Sequence, residues 1–206
     1  MEQITLLSAG EGQYSEKHSR FLGFAIPCES EKQAAEIIAQ KRKEYWDARH
    51  AVYAYILPDG SARFSDDGEP HGTAGKPVLD ILKTGGITGA IVIVVRYFGG
   101  ILLGTGGLVR AYTAAAGEAV KNAVRARIIA ADEYSLGVSY ADYDKLMFIL
   151  KGADAEIKST DFADGVNVVF AVKSDAAQAC LKSISEAFSS SVVPKFEEKT
   201  VIHEKI

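Results

Sequence analysis

The stretch Val94-Val95-Arg96-Tyr97-Phe98-Gly99-Gly100-Ile101-Leu102-Leu103-Gly104-Thr105-Gly106-Gly107-Leu108-Val109-Arg110-Ala111-Tyr112 ends an apolar strand, crosses two glycine pairs and enters a helix within one turn. Ala90 to Tyr97 is a continuous apolar run, the pattern of a central strand buried on both faces. Leu108, Val109, Tyr112, Ala115, Ala116, Ala119 and Val120 then recur at helical spacing, which predicts an amphipathic helix over 106–122. Such a junction leaves backbone N–H groups free beside the positive end of a helix. Its glycines let another backbone, or an anion, approach where a Cβ would block it.

A second segment, from Phe64 to Pro77, gathers Asp66, Asp67, Glu69, His71, Thr73 and Lys76 among glycines and prolines. That composition predicts a loop, and binding groups concentrate on loops.

The chain of 206 residues has room for one large domain or two small ones, with 48% hydrophobic residues. Cys28 and Cys180 match no CxxC or zinc-ligand spacing, so separate reduced thiols in a cytoplasmic protein are expected. No apolar run approaches the roughly 20 residues that cross a bilayer, and the start lacks a signal-peptide pattern. Neither membrane insertion nor secretion is expected. The net charge is −4; residues up to Arg125 hold 14 basic and 14 acidic groups and the remainder 9 and 13. The acidic excess in the C-terminal part weighs against a broad nucleic-acid footprint there.

The pattern predicts one or two strands between Tyr14 and Pro27, then a helix capped by Ser30, with Gln33 completing a capping box and Ala34, Ile37, Ile38 and Tyr45 on its apolar face. Ala51 to Leu57 reads as a strand, stopped by Pro58-Asp59-Gly60. Lys76 to Lys83 reads as a short helix closed by Gly85-Gly86, and Arg125 to Ala131 as a linker. The remainder reads as strand 133–139, helix 142–150, strand 155–160, strand 166–173, helix 175–188 and strand 192–202. That βαββαβ order is ferredoxin-like. The whole is an α+β chain with an N-terminal domain over 1–126 and a C-terminal domain over 132–206.

Two readings of the glycine junction stay open. Gly99, Gly100, Gly104, Gly106 and Gly107 could present N–H groups to a phosphate, with Arg49, Lys76, Arg96 and Arg110 supplying charge, or could serve close packing of strand on helix. The sequence matches neither G-x-G-x-x-G nor a P-loop, since Pro77 follows Gly75-Lys76. Asp66, Asp67, Glu69 and His71 could hold a divalent cation or supply a general base, although a solvated loop with Asx turns accounts for them too. His50, following Asp47-Ala48-Arg49, and Thr73 complete a candidate polar cleft. No nucleophile motif is present, and neither a metal nor a cofactor is expected.

Asp47-Ala48-Arg49-His50, the Ser65 to Pro77 loop and the Val94 to Tyr112 run together resemble the IMPACT/YigZ family, and the βαββαβ tail is similar to the smaller domain of its bacterial members. The resemblance implies an N-terminal βαβ domain like the second domain of a small-subunit ribosomal protein, domain IV of elongation factor G and the GHMP kinases. It implies a C-terminal ferredoxin-like domain similar to domain V of elongation factor G. These likenesses point to RNA, the ribosome or a translation-related protein as partner. In eukaryotic relatives an extra RWD domain binds a kinase activator under amino-acid stress; no such domain is expected in 206 residues, so that partner is not carried over. The resemblance gives His71 no role, because small residues are expected there. The leading expectation is a translation-linked binding protein. The alternative is a small-molecule enzyme, a hydrolase or phosphotransferase using the acidic loop; Thr105 as the lone hydroxyl of the glycine turn disfavours the kinase form.

Overall fold

The computed structural model describes residues 3–189 and 191–206, and these fall into two compact units. The first runs to Arg127 and takes in Lys205–Ile206; the second spans Ile128–Glu204.

In the first unit the strands are β1 (Ile4–Leu6), β2 (Gly10–Glu16), β3 (Ser19–Pro27), β4 (His50–Ile56), β5 (Ala62–Ser65) and β6 (Ala90–Tyr97). The helices are α1 (Glu31–Glu44), α2 (Gly75–Thr84) and α3 (Gly104–Asn122). Strands β2 to β6 form one antiparallel sheet in the order β2-β3-β6-β4-β5, so the apolar run takes the central place. Its alternation divides the core. Ala90, Val92 and Val94 join the cluster built with α2 and α3, whereas Ile91, Ile93 and Val95 join the cluster that holds Ala34 of α1. At the head of α1 the Ser30 hydroxyl accepts from the Gln33 N–H at 3.2 Å, and Gln33 Oε1 accepts from the Glu29 N–H at 2.7 Å. The capping box forms, with its return arm reaching the residue before the cap.

Helix α3 lies hard against β2 and β3. A Cβ placed on Gly12 would stand 2.4 Å from the Ala119 nitrogen, and one on Gly23 would stand 2.4 Å from the Ala115 carbonyl oxygen. This closeness buries Tyr112 completely; its ring meets Phe21 edge-on, with centroids 5.1 Å apart.

In the second unit β7 (Arg125–Val138), which enters it from the first, is followed by α4 (Tyr143–Gly152), β8 (Glu156–Phe162), β9 (Val166–Lys173), α5 (Ala177–Ala187) and β10 (Lys195–Lys205). β10 pairs with β7, and β7 and β8 flank β9 antiparallel, giving β10-β7-β9-β8. Leu136, Val168, Phe170 and Val172 pack with Leu146 and Leu150 of α4 and Ile184 of α5. The helices therefore cover one face of the sheet, the ferredoxin-like arrangement.

The structure corrects three expectations. Arg125 to Ala131 is strand and not linker, because β1 pairs with it (Leu6 opposite Arg125, Ile4 opposite Arg127) and Ala131 pairs with Lys173. β1 itself, three residues long, shows no alternation to read and is set by remote partners, including bonds to Gly86 and Thr88. β2 begins at Gly10 rather than Tyr14, and β5 takes Phe64 and Ser65 from the segment read as loop.

Two outcomes follow from the packing of α3. Gly12→Val places a branched side chain against helix backbone and lowers stability by about 3 kcal/mol or more in urea unfolding; an unchanged midpoint contradicts the close approach. Burial, and then the neighbouring Glu69 carboxylate, hold the Tyr112 hydroxyl neutral far above the ordinary tyrosine range. Above about pH 10 the unfolded chain releases this proton and the folded chain keeps it, so stability falls with pH by about 1.4 kcal/mol per unit from this group. Tyr112→Phe removes that share of the alkaline slope, which urea unfolding between pH 9 and pH 11 reads.

Candidate functional site

The acidic loop is tied down by its own carboxylates. Asp66 accepts from the N–H groups of Gly72 (2.9 Å), Ala74 (3.2 Å) and Gly75 (2.8 Å), and so caps α2, whose N-cap residue Ala74 has no side chain to do it. Asp67 accepts from the Ala51 N–H at 2.6 Å and from Arg42 at 2.5 Å. Its carbonyl oxygen lies 2.7 Å from His50 Nδ1, so that nitrogen carries the proton and donates. The Thr73 hydroxyl donates to the Pro70 carbonyl at 2.6 Å.

Glu69 behaves differently. It turns inward, 8% exposed, and its Oε1 accepts from Arg96 at 2.6 Å and from the Tyr112 hydroxyl at 2.8 Å. His50 Nε2 lies 3.9 Å from the same oxygen. Arg96 is placed by register, opposite Phe21 on β3 and His50 on β4. Its guanidinium carbon lies 5.4 Å from the centre of the Phe21 ring and 5.5 Å from that of Phe98, and it is 5% exposed. Its Nε is buried without a hydrogen-bond partner among the described residues.

These groups line a cleft of about 330 Å³. Arg49 and His50 at the head of β4, the Gly68-Glu69-Pro70 corner, and Arg96 and Phe98 at the end of β6 supply part of its wall. Leu102, Leu103, Gly104, Thr105 and Leu108 supply the rest, at the start of α3. Arg49 lies 5.9 Å from the Phe98 ring centre, and among the described residues no carboxylate pairs with it. At the head of α3 no side chain caps the helix and no acidic residue sits in the first turn. The first N–H groups of the helix thus keep their positive end uncompensated.

The sequence-predicted residues divide on this geometry. Arg49, His50, Glu69, Arg96 and Gly104 come together in the cleft. Lys76 pairs with Asp80 at 3.2 Å on the exposed face of α2, Arg110 lies 3.6 Å from Glu16, and neither is part of the cleft wall. Gly99 is a packing residue: a Cβ there would stand 2.1 Å from the His18 carbonyl carbon, and its N–H donates to the Ser19 hydroxyl. Gly107 is crowded by Leu103 at 3.0 Å, while an added Cβ at Gly106 meets nothing nearer than 3.8 Å. Gly100 and Gly104 have φ of +84° and +73° with open space beside them, so the chain's path at these turns demands glycine.

Phe98, Leu102, Leu103, Leu108 and Tyr112 were not foreseen as part of this site. The available signal was the set of large apolar residues inside a glycine-rich turn, of which Leu102 is 81% and Phe98 40% exposed. Among the described residues no group of three or more histidine, cysteine, aspartate or glutamate side chains is placed to hold a metal ion. Both cysteines are buried and free, and burial pushes both thiols up. No helix among the described residues is long and apolar enough to cross a membrane.

Comparison with known proteins identifies the frame that carries this cleft. Residues 17–120 match the Impact N-terminal domain, and residues 136–191 match a domain of unknown function, DUF1949. The IMPACT family member YigZ of Escherichia coli K12 is 39% identical over 71% of this chain and 74% of its own length. The IMPACT family member in the pol 5′ region of Thermus thermophilus is 35% identical over 82% of this chain and 93% of its own. An IMPACT family member of Haemophilus influenzae is 34% identical over 90% and 88%. A crystal structure of a hypothetical protein superposes with a TM-score of 0.61 at 30% identity, covering 96% of this chain and 98% of that one. On these matches, which span both units, the chain belongs to the IMPACT family.

Proposed function

We propose that this IMPACT family member is a translation-linked regulatory protein of the cytoplasm that binds RNA by its phosphates, in the cleft at the head of α3. The observation that carries the reading is the pairing of an uncapped helix start with an arginine that has no carboxylate partner among the described residues: Gly104, Thr105 and Arg49 line the same cleft. Helix N–H groups and an arginine fork are the two protein devices best suited to phosphate oxygens. Arg96 adds positive charge at the floor, although Glu69 offsets much of it.

The alternative, a hydrolase or phosphotransferase using the acidic loop, draws less support. The Asp66 and Asp67 oxygens are engaged with backbone N–H groups and Arg42, and Glu69 is engaged with Arg96 and Tyr112.

Charge alone makes Arg49 and Lys76 equivalent, and their places in the fold separate them. Arg49→Ala weakens binding of a single-stranded RNA about tenfold at low salt and reduces the slope of log affinity against log salt by about 0.7. Lys76→Ala, outside the cleft wall, changes binding less than about twofold, as expected of an exposed charge already paired on its own helix. Filter binding at several salt concentrations checks both. Equal losses in the two variants, or no loss in either, contradict the placement.

A further inference from the structure

The cleft contains more than a phosphate site requires. We infer that it takes one nucleotide unit, with the base against the Glu69–Arg96 floor and the Phe98 and Leu102 walls, and the phosphate at Arg49 and the start of α3. This inference rests on the phosphate reading above and adds what lies beside the phosphate.

The floor supplies the first argument. Arg96 is 5% exposed and lines the cleft; among the described residues its one side-chain hydrogen bond runs from Nη1 to Glu69, and its Nε, itself shut off from solvent, has no acceptor. Buried donors are nearly always paired, so the guanidinium at the floor has N–H groups left over for an acceptor in the cleft. Beside it, both bonds to Glu69 fall on Oε1, which leaves Oε2 able to accept. Glu69 offsets the Arg96 charge, so the floor holds little net attraction for a phosphate, which is left to the rim, where Arg49, Gly104 and Thr105 stand. What fits the floor is a neutral edge carrying donors and acceptors side by side, and a nucleobase edge is such a group.

The walls supply the second. Leu102 at 81% and Phe98 at 40% exposure leave apolar surface that phosphate does not cover, and Leu103 and Leu108 extend it into the cleft. Flat bases stack on aromatic rings and on guanidinium planes, and Arg49 beside Phe98 offers both. A volume of about 330 Å³ suits one such unit and no longer run. A peptide carboxylate with an aliphatic side chain would satisfy the rim and the walls, but would set hydrocarbon on the polar floor and leave the spare Arg96 donors unmet.

Titration calorimetry on the full chain with AMP, CMP, GMP, UMP, ribose 5-phosphate, inorganic phosphate and the peptide acetyl-Gly-Gly-Leu tests the inference. At least one nucleotide binds about tenfold more tightly than ribose 5-phosphate. Leu102→Ala, at a position exposed enough to leave the fold intact, lowers that nucleotide's affinity about threefold or more and leaves ribose 5-phosphate unchanged. Arg49→Ala weakens every phosphate compound. If ribose 5-phosphate binds as tightly as the best nucleotide, the base pocket is overturned and the phosphate reading stands. If no phosphate compound binds, both fall. Tighter binding of the peptide overturns the nucleotide in favour of a carboxylate-terminated chain.

Discussion

Everything at this site depends on one buried carboxylate. Glu69 sits on the loop between β5 and α2, and its Oε1 gathers Arg96 from β6 and Tyr112 from α3. Three elements that are far apart in sequence are fixed at one atom. Removing one charge of such a buried pair strands the other, at a cost of about 3–5 kcal/mol. The pair is therefore a constraint on geometry more than a source of net stability. It holds the loop, the central strand and the long helix at the spacing that opens the cleft.

The neighbouring residues protect that arrangement by different means. Asp66 and Asp67 fix the loop on either side of the site by capping α2 and by binding the Ala51 N–H and Arg42. The glycines of β2 and β3 bring α3 close enough to bury the Tyr112 ring, so its hydroxyl reaches Glu69. Residues that look like chemistry in the sequence, the two aspartates of the acidic loop, thus build a scaffold. The reactive-looking surface is instead an uncapped helix end, an arginine with no carboxylate partner among the described residues, and an apolar lip.

The parts of this fold that were legible in the sequence are those fixed by local patterns. Ala90 to Tyr97 reads as a doubly buried strand, Ser30 with Gln33 as a helix head, and the C-terminal alternation as βαββαβ, because periodicity and caps act within a few residues. The strand at 125–131 and its partner β1 were not legible, since neither segment alternates and each is strand by virtue of partners remote in sequence. The site was half legible. Arg49, His50, Glu69, Arg96 and Gly104 follow from the two unusual segments, but nothing in the sequence pairs Arg96 with Glu69 or directs Lys76 to Asp80. Charge partners are chosen by tertiary distance, and one-dimensional spacing does not encode it.

The central claim is that the head of α3 and Arg49 form one phosphate-binding surface. Backbone amide NMR of the full chain, titrated with a short 5′-phosphorylated RNA, tests it most directly, because the N–H groups proposed as donors report on themselves. The account predicts that the largest shifts fall on Gly104, Thr105, Gly106 and Arg49, and that they diminish when the RNA's terminal phosphate is removed. Shifts centred on another surface, with these amides unmoved at saturation, would contradict it.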